Sequence, residues 1–446
     1  MPEAAVVLAR SAQQLLGAPL PLRIRAWDGS VAGPADGPEL VLRDRTALRH
    51  LLWQPDDLGL ARGWVTGDLD VQGDLYEVLD RLSRVLWDKD VRRGTDDGGD
   101  AGAGRAARGA GRAVAAMSAL REVLPLIGNP LPPPRPAEEV PPRRGPAHTL
   151  RRDRAAISHH YDVGNDFYAL MLGPSLVYSC AYWEDGPDAP DATLEAAQAA
   201  KLELVCRKLA LEKGGRLLDV GCGWGSMALH AAKHHGVDVV GVTISTEQAY
   251  AARERVAGAG LSHRIEIRVQ DYREITDGPY DAISSIGMAE HVGTAGYLEY
   301  ALALHGLLRP GGRLLNHQIA RRPVPGEKDY RLNGFIDRYV FPDGELSPVG
   351  ATVGQLEEAG FEVRDVQALR EHYALTLRAW VTRLEKNWEE AVRLVGPARA
   401  RIWRLYMAAS AVGFERNTMG VNQVLAVRAA ADGTSGMRWS RSGDRW

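Results

Sequence analysis

The chain has 446 residues, of which 45% are hydrophobic and 25% charged, and its formal net charge at pH 7 is -3. This composition predicts a globular protein of two domains and excludes a fibrous or wholly disordered chain. The small net charge excludes a general electrostatic attraction to nucleic acid, so we expect no nucleic-acid partner.

Residues 1–88 are predicted to form a small α+β domain. An amphipathic helical pattern opens it, strand-like alternation follows at Leu22–Trp27 and Leu40–Arg43, and a helical pattern returns at Tyr76–Leu86. The first residues lack a basic region with a cleavage signal, and no apolar run approaches the roughly 20 residues that span a bilayer. We therefore expect neither secretion nor a membrane span.

A linker is predicted at residues 89–150, because Gly, Ala, Arg and Pro dominate there and cannot bury enough surface to order the chain. A helix through Val114–Leu126 is one alternative within it. The linker's end carries a local basic cluster, which is either a solvated flank or a contact for anionic lipid headgroups. The cluster comprises Arg143, Arg144, Arg151, Arg152 and Arg154.

Residues 151–430 are predicted to form the second domain, with a tail at 431–446. Strand patterns alternate with helical patterns such as Lys201–Leu209 and Glu247–Ala257. The predicted strands are Arg216–Val220, Val237–Thr243, Ile265–Gln270, Tyr280–Ser285 and Gly312–His317. This order predicts an α/β fold with a mostly parallel sheet between helices, and a ligand site at the carboxyl ends of the strands.

The segment RLLDVGCGWG at 216–225 joins the first of these strands to a helix. Asp219 lies near the strand end, and Gly221, Gly223 and Gly225 allow a tight turn and close approach of a ligand. The spacing G-x-G-x-G differs from the dinucleotide fingerprint G-x-G-x-x-G. It resembles motif I of class I S-adenosylmethionine-dependent methyltransferases, which implies a Rossmann-like fold and S-adenosylmethionine as the cofactor.

Two further strand ends offer polar side chains to such a cofactor. The strand that ends at Thr243 has no carboxylate at its tip, where many methyltransferases hold both ribose hydroxyls, so Glu247 or Gln248 is left to make those hydrogen bonds. Asp271 and Tyr272 suit the amino group and the face of an adenine. Either segment alone is more typical of ordinary turn chemistry, but together with the glycine loop the cofactor contact is the favoured interpretation.

Four longer segments carry a family resemblance that spans about Ile157 to Val427. They are Ser158–Tyr168 (SHHYDVGNDFY), Tyr178–Trp183 (YSCAYW), Gly287–Gly293 (GMAEHVG) and Tyr339–Leu346 (YVFPDGEL). Together they resemble the cyclopropane fatty acid synthase family, which includes the mycolic acid methyltransferases. The first domain resembles the small lipid-facing domain of the full-length bacterial synthases.

The resemblance implies methyl transfer from S-adenosylmethionine to a cis double bond of a phospholipid acyl chain. The resulting carbocation would lose a proton to bound bicarbonate, to give a cyclopropane or a 10-methylene-branched product. The positions that correspond to the bicarbonate site are Cys180, Glu290, His317, Ile319 and Tyr373. The positions that correspond to the cofactor site are Tyr178, Ser179, Gly221, Gly223, Thr243, Gln248 and Tyr272.

The expected partner is therefore an unsaturated phospholipid, met by peripheral contact at the inner membrane surface from the cytoplasm. A homodimer is left open. A methyltransferase for a soluble small molecule is the alternative function. No metal site is expected, because His159 and His160 have no partner at ligand spacing, and Cys180, Cys206 and Cys222 are too few and too poorly spaced.

Overall fold

The computed structural model describes residues 3–95, 117–141, 149, 152, 163–324, 326–327, 330 and 332–439. Contacts divide the chain into two compact units. The first comprises Met1–Pro141 and Pro397–Val412, and the second comprises Pro142–Gly396 and Gly413–Trp446. These limits differ from the predicted ones, because residues 117–141 and a late helical segment belong to the first unit.

The first unit contains a four-stranded sheet in the order β2-β1-β3-β4, in which β1 and β3 are parallel and the other pairs antiparallel. The strands are β1 Arg23–Arg25, β2 Val31–Ala32, β3 Glu39–Leu42 and β4 Leu69–Gln72. Its helices are Ala4–Leu16, Thr46–Trp53, Asp57–Thr66, Leu75–Thr95 and residues 117–127. Apolar side chains such as Ala5, Leu8, Ile24 and Leu48 form its core.

Part of the predicted linker is packed into this unit. Residues 117–127 are helical, and Ile127 joins the hydrophobic core. Beyond the helix, Glu139 receives hydrogen bonds of 2.7 and 2.8 Å from the Arg62 guanidinium, and both side chains are largely buried. Residues 96–116 and 142–148 lie outside the described residues. The helix expected at Val114–Leu126 is thus present over its described residues, whereas the linker predicted from composition is wrong for residues 117–141, where a few well-placed apolar and charged side chains supply the packing.

The segment 397–412 joins the first unit through Arg401. Its Nε donates to the Trp64 carbonyl at 2.6 Å, and its Nη2 donates to the Leu69 carbonyl at 2.7 Å. The guanidinium also lies 4.3 Å from the centre of the Trp64 ring, within cation–π range. No local sequence pattern announces such a contact, because its partners lie more than three hundred residues apart in the chain.

The second unit contains a seven-stranded sheet in the order β10-β11-β9-β8-β5-β6-β7. The strands are β5 Arg216–Val220, β6 Asp238–Thr243, β7 Ile265–Val269, β8 Tyr280–Ile286, β9 Leu308–Arg321, β10 Glu362–Ala368 and β11 Met419–Val427. All pairs are parallel except those of β11, which is antiparallel to both β9 and β10. The five predicted strands are present, whereas β10 and β11 were not predicted.

Hydrophobic cores lie on both faces of this sheet because successive strand residues point to opposite sides. Leu217 and Leu315 belong to one core, while their neighbours Leu218 and Leu314 belong to the other. The helices of this unit are Asn165–Leu172, Leu194–Leu209, Ser226–His235, Thr246–Gly258, Ala289–Val292, Tyr297–Leu307, Val349–Glu358, Arg370–Lys386 and Trp388–Val395. The predicted sheet with helices on both faces is therefore present.

Strand register brings the chemical side chains to the same level. Ser285 of β8 pairs with Val220, the last residue of β5, and Ile286 pairs with His317 of β9. His317 was expected to end its strand, but β9 continues to Arg321. The residues of β9 beyond His317 pair with β11 and no longer with β8, which ends at Ile286.

Within the described part of the chain, no helix combines the length and the apolarity that a bilayer crossing requires.

A buried ion pair fixes β10 against the helix Leu194–Leu209. Lys208 Nζ lies 3.3 Å from Asp365 Oδ2, and both side chains are almost inaccessible to solvent. Replacing Lys208 with Met should lower the free energy of unfolding by about 3–5 kcal/mol, because the buried Asp365 carboxylate loses the attraction of this cation. The double variant Lys208→Met/Asp365→Leu should recover most of that loss in urea unfolding. A single variant as stable as the double one would contradict this role for the pair.

Candidate functional site

The glycine loop after β5 has the conformation that only glycine adopts readily. Gly221, Gly223 and Gly225 have φ angles of 76°, 53° and 77°. A Cβ at Gly221 would lie 2.4 Å from Met288 Sδ, so no larger residue fits without displacing that side chain. The backbone N–H groups of Gly221 and Cys222 donate to the Val242 carbonyl at 2.9 and 3.0 Å, which holds the loop against the end of β6.

Asp219 lies on β5 just before this loop and is almost fully buried. Its Oδ1 accepts a hydrogen bond of 2.7 Å from Ser284 Oγ, while Oδ2 has no hydrogen-bond partner among the described residues. Burial raises the pKa of Asp219 to about 6, so the carboxyl is still mostly ionised at neutral pH. A buried carboxylate oxygen beside the loop is therefore available to accept from a ligand.

Of the two candidates beyond β6, Gln248 faces the loop and Glu247 is exposed. The Gln248 Oε1 accepts a hydrogen bond of 3.1 Å from Thr243 Oγ1. Its Nε2 lies 4.0 Å from the position that a Cβ would take at Gly223, with no other heavy atom of the described chain within that distance. The fixed amide thus directs its N–H groups toward the open side of Gly223, and Gln248 is the better placed of the two.

Asp271 and Tyr272 lie where the chain leaves β7, but the acid is already engaged. Asp271 Oδ1 accepts from the backbone N–H and the Nε of Arg273 at 3.0 and 2.7 Å, and Oδ2 accepts from Nη2 at 2.8 Å. The Tyr272 ring packs edge-on against Tyr300 at 4.7 Å. An adenine bound as predicted would therefore have to share the Asp271 carboxylate with Arg273.

Lys201 is a buried cation at this site that was not among the predicted residues. Its Nζ donates a hydrogen bond of 2.9 Å to Ser179 Oγ, and its side chain is almost inaccessible to solvent. Burial lowers the pKa of Lys201 to about 8, against the opposing influence of Cys180 and Asp219. The sequence does hold a signal, since Lys201 follows Leu194 and Ala197 on the buried face of its helix.

The segment Tyr178–Trp183 is fastened to the helix Arg370–Lys386. The backbone N–H of Ala181 donates to Thr376 Oγ1 at 3.1 Å, and that of Trp183 donates to His372 Nδ1 at 3.0 Å. The Cys180 thiol is buried, 3.1 Å from the Ala181 carbonyl oxygen, and burial raises its pKa well above the ordinary value. Cys180 is therefore a neutral thiol that positions the segment rather than a nucleophile.

An aromatic wall, made of Tyr178, Trp380, Tyr373 and Phe414, runs from this segment across the same helix. The Tyr178 and Trp380 rings are 5.5 Å apart, and Trp380 and Tyr373 are 6.1 Å apart at an interplanar angle of 88°. Phe414 continues the wall 4.8 Å from Tyr373. These centroid distances are those of favourable aromatic pairs, so the rings hold one another in place.

Glu290 lies in the short helix Ala289–Val292 that follows β8. Its Oε1 accepts a hydrogen bond of 2.7 Å from the backbone N–H of Ile319, while its Oε2 has no hydrogen-bond partner among the described residues. Burial raises the pKa of Glu290 from 4.5 to about 7. Ile319 thus contributes a backbone group that orients Glu290, and the second carboxyl oxygen remains available for hydrogen bonding.

His317 lies two residues before Ile319 and is also buried. Neither ring nitrogen has a hydrogen-bond partner in the described part of the chain. Burial, and then the positive charges of Lys201 and Lys208, lower the pKa of His317 to about 3, so the imidazole is neutral at physiological pH. A neutral imidazole offers one donor and one acceptor to a small polar ligand.

The structure brings several of the predicted residues together through contacts. Ile319 contacts Glu290, and Thr243 contacts Gln248. Tyr373 and Cys180 share the Leu369 carbonyl, because the Tyr373 N–H donates to it at 3.1 Å and the Cys180 thiol lies 3.6 Å from it.

The first family motif and the basic cluster fall partly outside the described residues. The motif residues 158–162, with His159 and His160, lie outside the described residues, as do Arg143, Arg144, Arg151 and Arg154. Arg152 is described, and its Nε donates to Asp343 Oδ2 at 2.7 Å. Its guanidinium is therefore engaged within the protein rather than presented to lipid.

The chain was compared with known families and proteins. The family model described as mycolic acid cyclopropane synthetase matches residues 148–424. A probable fatty acid methyltransferase of Mycobacterium tuberculosis is 42% identical over 418 residues, which cover 92% of this chain and 91% of that protein. The cyclopropane-fatty-acyl-phospholipid synthase of Escherichia coli strain K12 is 38% identical over 274 residues, which cover 61% of this chain and 68% of that protein.

A solved structure gives the corresponding match in three dimensions. The mycolic acid cyclopropane synthase CmaA1, complexed with SAH and CTAB, superposes with a TM-score of 0.57 at 34% identity, covering 61% of this chain and 97% of that one. The predicted α/β fold of a class I S-adenosylmethionine-dependent methyltransferase is thereby confirmed, as is the predicted family resemblance.

The raised pKa of Glu290 predicts a stability effect that is independent of activity. Because the folded-state pKa of about 7 exceeds the ordinary 4.5, the stability that this carboxyl contributes below pH 4.5 is lost as the pH rises through 7. Wild type should therefore lose about 3 kcal/mol relative to Glu290→Gln across that window. Urea unfolding in carbon-dioxide-free buffer at several pH values measures this difference.

The matched control is Glu299→Gln, which removes an exposed carboxyl from the neighbouring helix. Its stability should follow that of wild type across the whole pH range. If Glu290→Gln also follows wild type, Glu290 is not buried as described.

Proposed function

The chain belongs to the mycolic acid cyclopropane synthetase family, and from that premise we propose that it methylates a cis double bond in the acyl chain of a membrane phospholipid. Like the members of that family, it is an S-adenosylmethionine-dependent enzyme that modifies lipid acyl chains. The proposal adds the phospholipid substrate, the bound bicarbonate and the roles of individual residues. The observation that carries it is the solvent-inaccessible carboxyl oxygen of Glu290, whose other oxygen accepts from Ile319 two residues after the neutral His317 on the same strand.

S-adenosylmethionine supplies an electrophilic methyl group on a sulfonium. The residues around the glycine loop suit it: the unpartnered oxygen of Asp219 can accept from a ligand, and the Gln248 amide can donate beside the open side of Gly223. Lys201 and Ser179, which are hydrogen-bonded to each other, add a cation and a hydroxyl. Both groups suit a carboxylate such as that of the methionine portion of S-adenosylmethionine. We assign these residues, with Tyr178, Gly221, Gly225 and Thr243, to cofactor binding.

The substrate alkene is a weak nucleophile, so its methylation creates a carbocation that water would quench. The aromatic wall offers electron-rich ring faces and an apolar surface from which water is excluded. Tyr178 and Trp380 are the members nearest to the segment that carries Ser179. We assign the wall to stabilisation of the cation.

A proton has to leave the cation, and bicarbonate supplies the base that removes it. Two observations suit an anion of this kind. Glu290 can be protonated near neutral pH because its pKa is about 7, and its O–H then donates rather than repels. His317 is neutral, with both ring nitrogens unpartnered among the described residues, so it can donate one N–H.

The charges around the site also favour a bound anion. Lys201 and Lys208 both act on His317 electrostatically, and both are buried on the helix Leu194–Leu209. In this proposal Glu290, His317 and Tyr373 hold the anion through side chains, Ile319 orients Glu290, and Cys180 fixes the segment beside them.

Two products are compatible with this chemistry. The cation closes to a cyclopropane ring when the added methyl group loses the proton, and loss of that proton with a hydride shift gives a methylene branch. Asn316, the neighbour of His317, is buried and donates to Gln318 Oε1 at 2.7 Å. Asn316 and Gln318 therefore lie on the face of the sheet opposite to His317, and Asn316 does not favour either product. The product is a cyclopropane ring or a 10-methylene branch.

Peripheral contact with a membrane fits the first unit. Its helical residues 117–127 expose Met117, Leu120 and Leu124 to 57%, 42% and 45%, at a spacing that places them along one side of the helix. Trp53 is 53% exposed in the same unit. An exposed apolar stripe of this kind suits the interface of a bilayer without spanning it. The homodimer left open above stays a prediction.

The direct test is methyl transfer from isotopically labelled S-adenosylmethionine to vesicles of dioleoyl phosphatidylglycerol. We expect one labelled carbon per modified oleoyl chain by mass spectrometry, and no label in distearoyl phosphatidylglycerol. Glu290→Ala should lower the turnover by about 100-fold or more, because the anion that would accept the proton loses one of the side chains proposed to hold it. Glu299→Ala should retain the wild-type turnover.

Proton NMR of the product then separates a cyclopropane ring from a methylene branch, which have the same mass. Absence of label from the unsaturated lipid, with label transferred to a soluble acceptor, would overturn the proposal in favour of a small-molecule methyltransferase.

A further inference from the structure

A second group of chemically active side chains lies outside the site described above. Cys206 belongs to the helix Leu194–Leu209, and His230 and His235 belong to the helix Ser226–His235. One potential ligand atom from each of these three residues lies within 4.8 Å of the others. The helices therefore bring together a thiol and two imidazoles that are scattered in the sequence.

A carboxylate adjoins two members of the group, the imidazoles of His230 and His235. Glu203 precedes Cys206 by three residues and so shares its side of the helix. Its Oε2 lies 3.1 Å from His230 Nε2 and 3.0 Å from His235 Nε2. One carboxylate oxygen of Glu203 thus lies within hydrogen-bonding distance of the Nε2 atoms of both imidazoles.

These separations are close to those of ligands around one metal ion. In a tetrahedral zinc site with bonds of about 2.0–2.1 Å to nitrogen and oxygen, neighbouring ligand atoms lie about 3.3–3.4 Å apart. The Glu203 oxygen and the two imidazole nitrogens are within a few tenths of an ångström of that spacing. The Cys206 thiol lies within 4.8 Å of a nitrogen of each imidazole, so a rotation of its side chain toward them would have to complete the set.

We propose that Cys206, His230, His235 and Glu203 form a structural Zn²⁺ site. A thiolate and two imidazoles are ligands that zinc prefers over magnesium or calcium, and four protein ligands make a closed, non-catalytic site. Sequence spacing predicted no metal site, because the ligands do not form a compact Cys/His motif. The fold supplies the proximity that the sequence lacks.

The simpler alternative is a hydrogen-bonded cluster in which Glu203 accepts from both histidines and Cys206 is a small buried side chain. That alternative accounts for the carboxylate and the imidazoles, but it gives the thiol no part. The metal site uses all four side chains. Whether Cys206 takes part in Zn²⁺ binding is therefore the observation that separates the two.

A metal ion here would tie together two elements that flank the glycine loop. The helix Ser226–His235 begins directly after Gly225, and the helix Leu194–Leu209 carries Lys201. Zn²⁺ would therefore fix the spacing of the two helices from their far ends. Its expected contribution is to stability, whatever acyl substrate the enzyme takes.

The test uses the full chain after treatment with a chelator, with Zn²⁺ alone as the added ligand. We expect one Zn²⁺ per chain by elemental analysis after gel filtration, and a rise in the midpoint of thermal unfolding with added Zn²⁺. Co²⁺ should give a near-ultraviolet thiolate-to-metal band in wild type that is absent in Cys206→Ser. Replacing even an outer-shell partner of a ligand weakens metal affinity about 10–100-fold, so His235→Ala should weaken it at least as much.

His234→Ala is the matched control, because His234 is exposed in the same helix and is not one of the four ligands. It should keep the stoichiometry and the Co²⁺ band. Circular dichroism of every metal-free variant separates lost binding from lost folding. The proposal is overturned if folded Cys206→Ser binds Zn²⁺ as tightly as wild type, or if the wild type shows no thiolate band and no bound Zn²⁺.

Discussion

The burial of the Glu290 carboxyl group, in a residue that is otherwise partly exposed, is the constraint on which the site depends. A carboxyl removed from water is costly to ionise, and one hydrogen bond from the Ile319 backbone does not offset that cost, as its pKa of about 7 shows. Such a group persists where its neutral form has a use. If a small anion binds here as proposed, that use is to hold it without the repulsion of a second negative charge.

The rest of the second unit serves to place these groups. The register of β8 and β9 puts His317 level with the end of β8, so that Glu290 in the next helix reaches back to Ile319. The helix Arg370–Lys386 holds the segment of Ser179 and Cys180 through Thr376. Lys201 connects that segment to the charge of Asp219, the carboxylate beside the glycine loop. These contacts position the residues that we propose for the cofactor and, separately, those that we propose for the anion.

The sequence was informative where the signal is local. Strand β5 has its predicted limits, Arg216–Val220, because apolar residues run directly into glycines that require positive φ angles. Strands β10 and β11 were missed because neither is joined to its neighbours by the βαβ pattern that reveals the parallel strands. His317 was placed at a strand end because nothing local shows that β11 prolongs β9.

The residue types of the candidate site could be predicted from the sequence, but the pKa values of its buried groups could not.

The measurement that tests the account most directly is the dependence of turnover on bicarbonate. In carbon-dioxide-free buffer, added bicarbonate should restore methylation of dioleoyl phosphatidylglycerol by wild type along a saturating curve. Glu290→Ala should require a higher bicarbonate concentration for half-maximal rate, because it removes a hydrogen-bond donor to the anion. Full wild-type turnover without bicarbonate, or an unchanged half-maximal concentration in Glu290→Ala, would contradict the account.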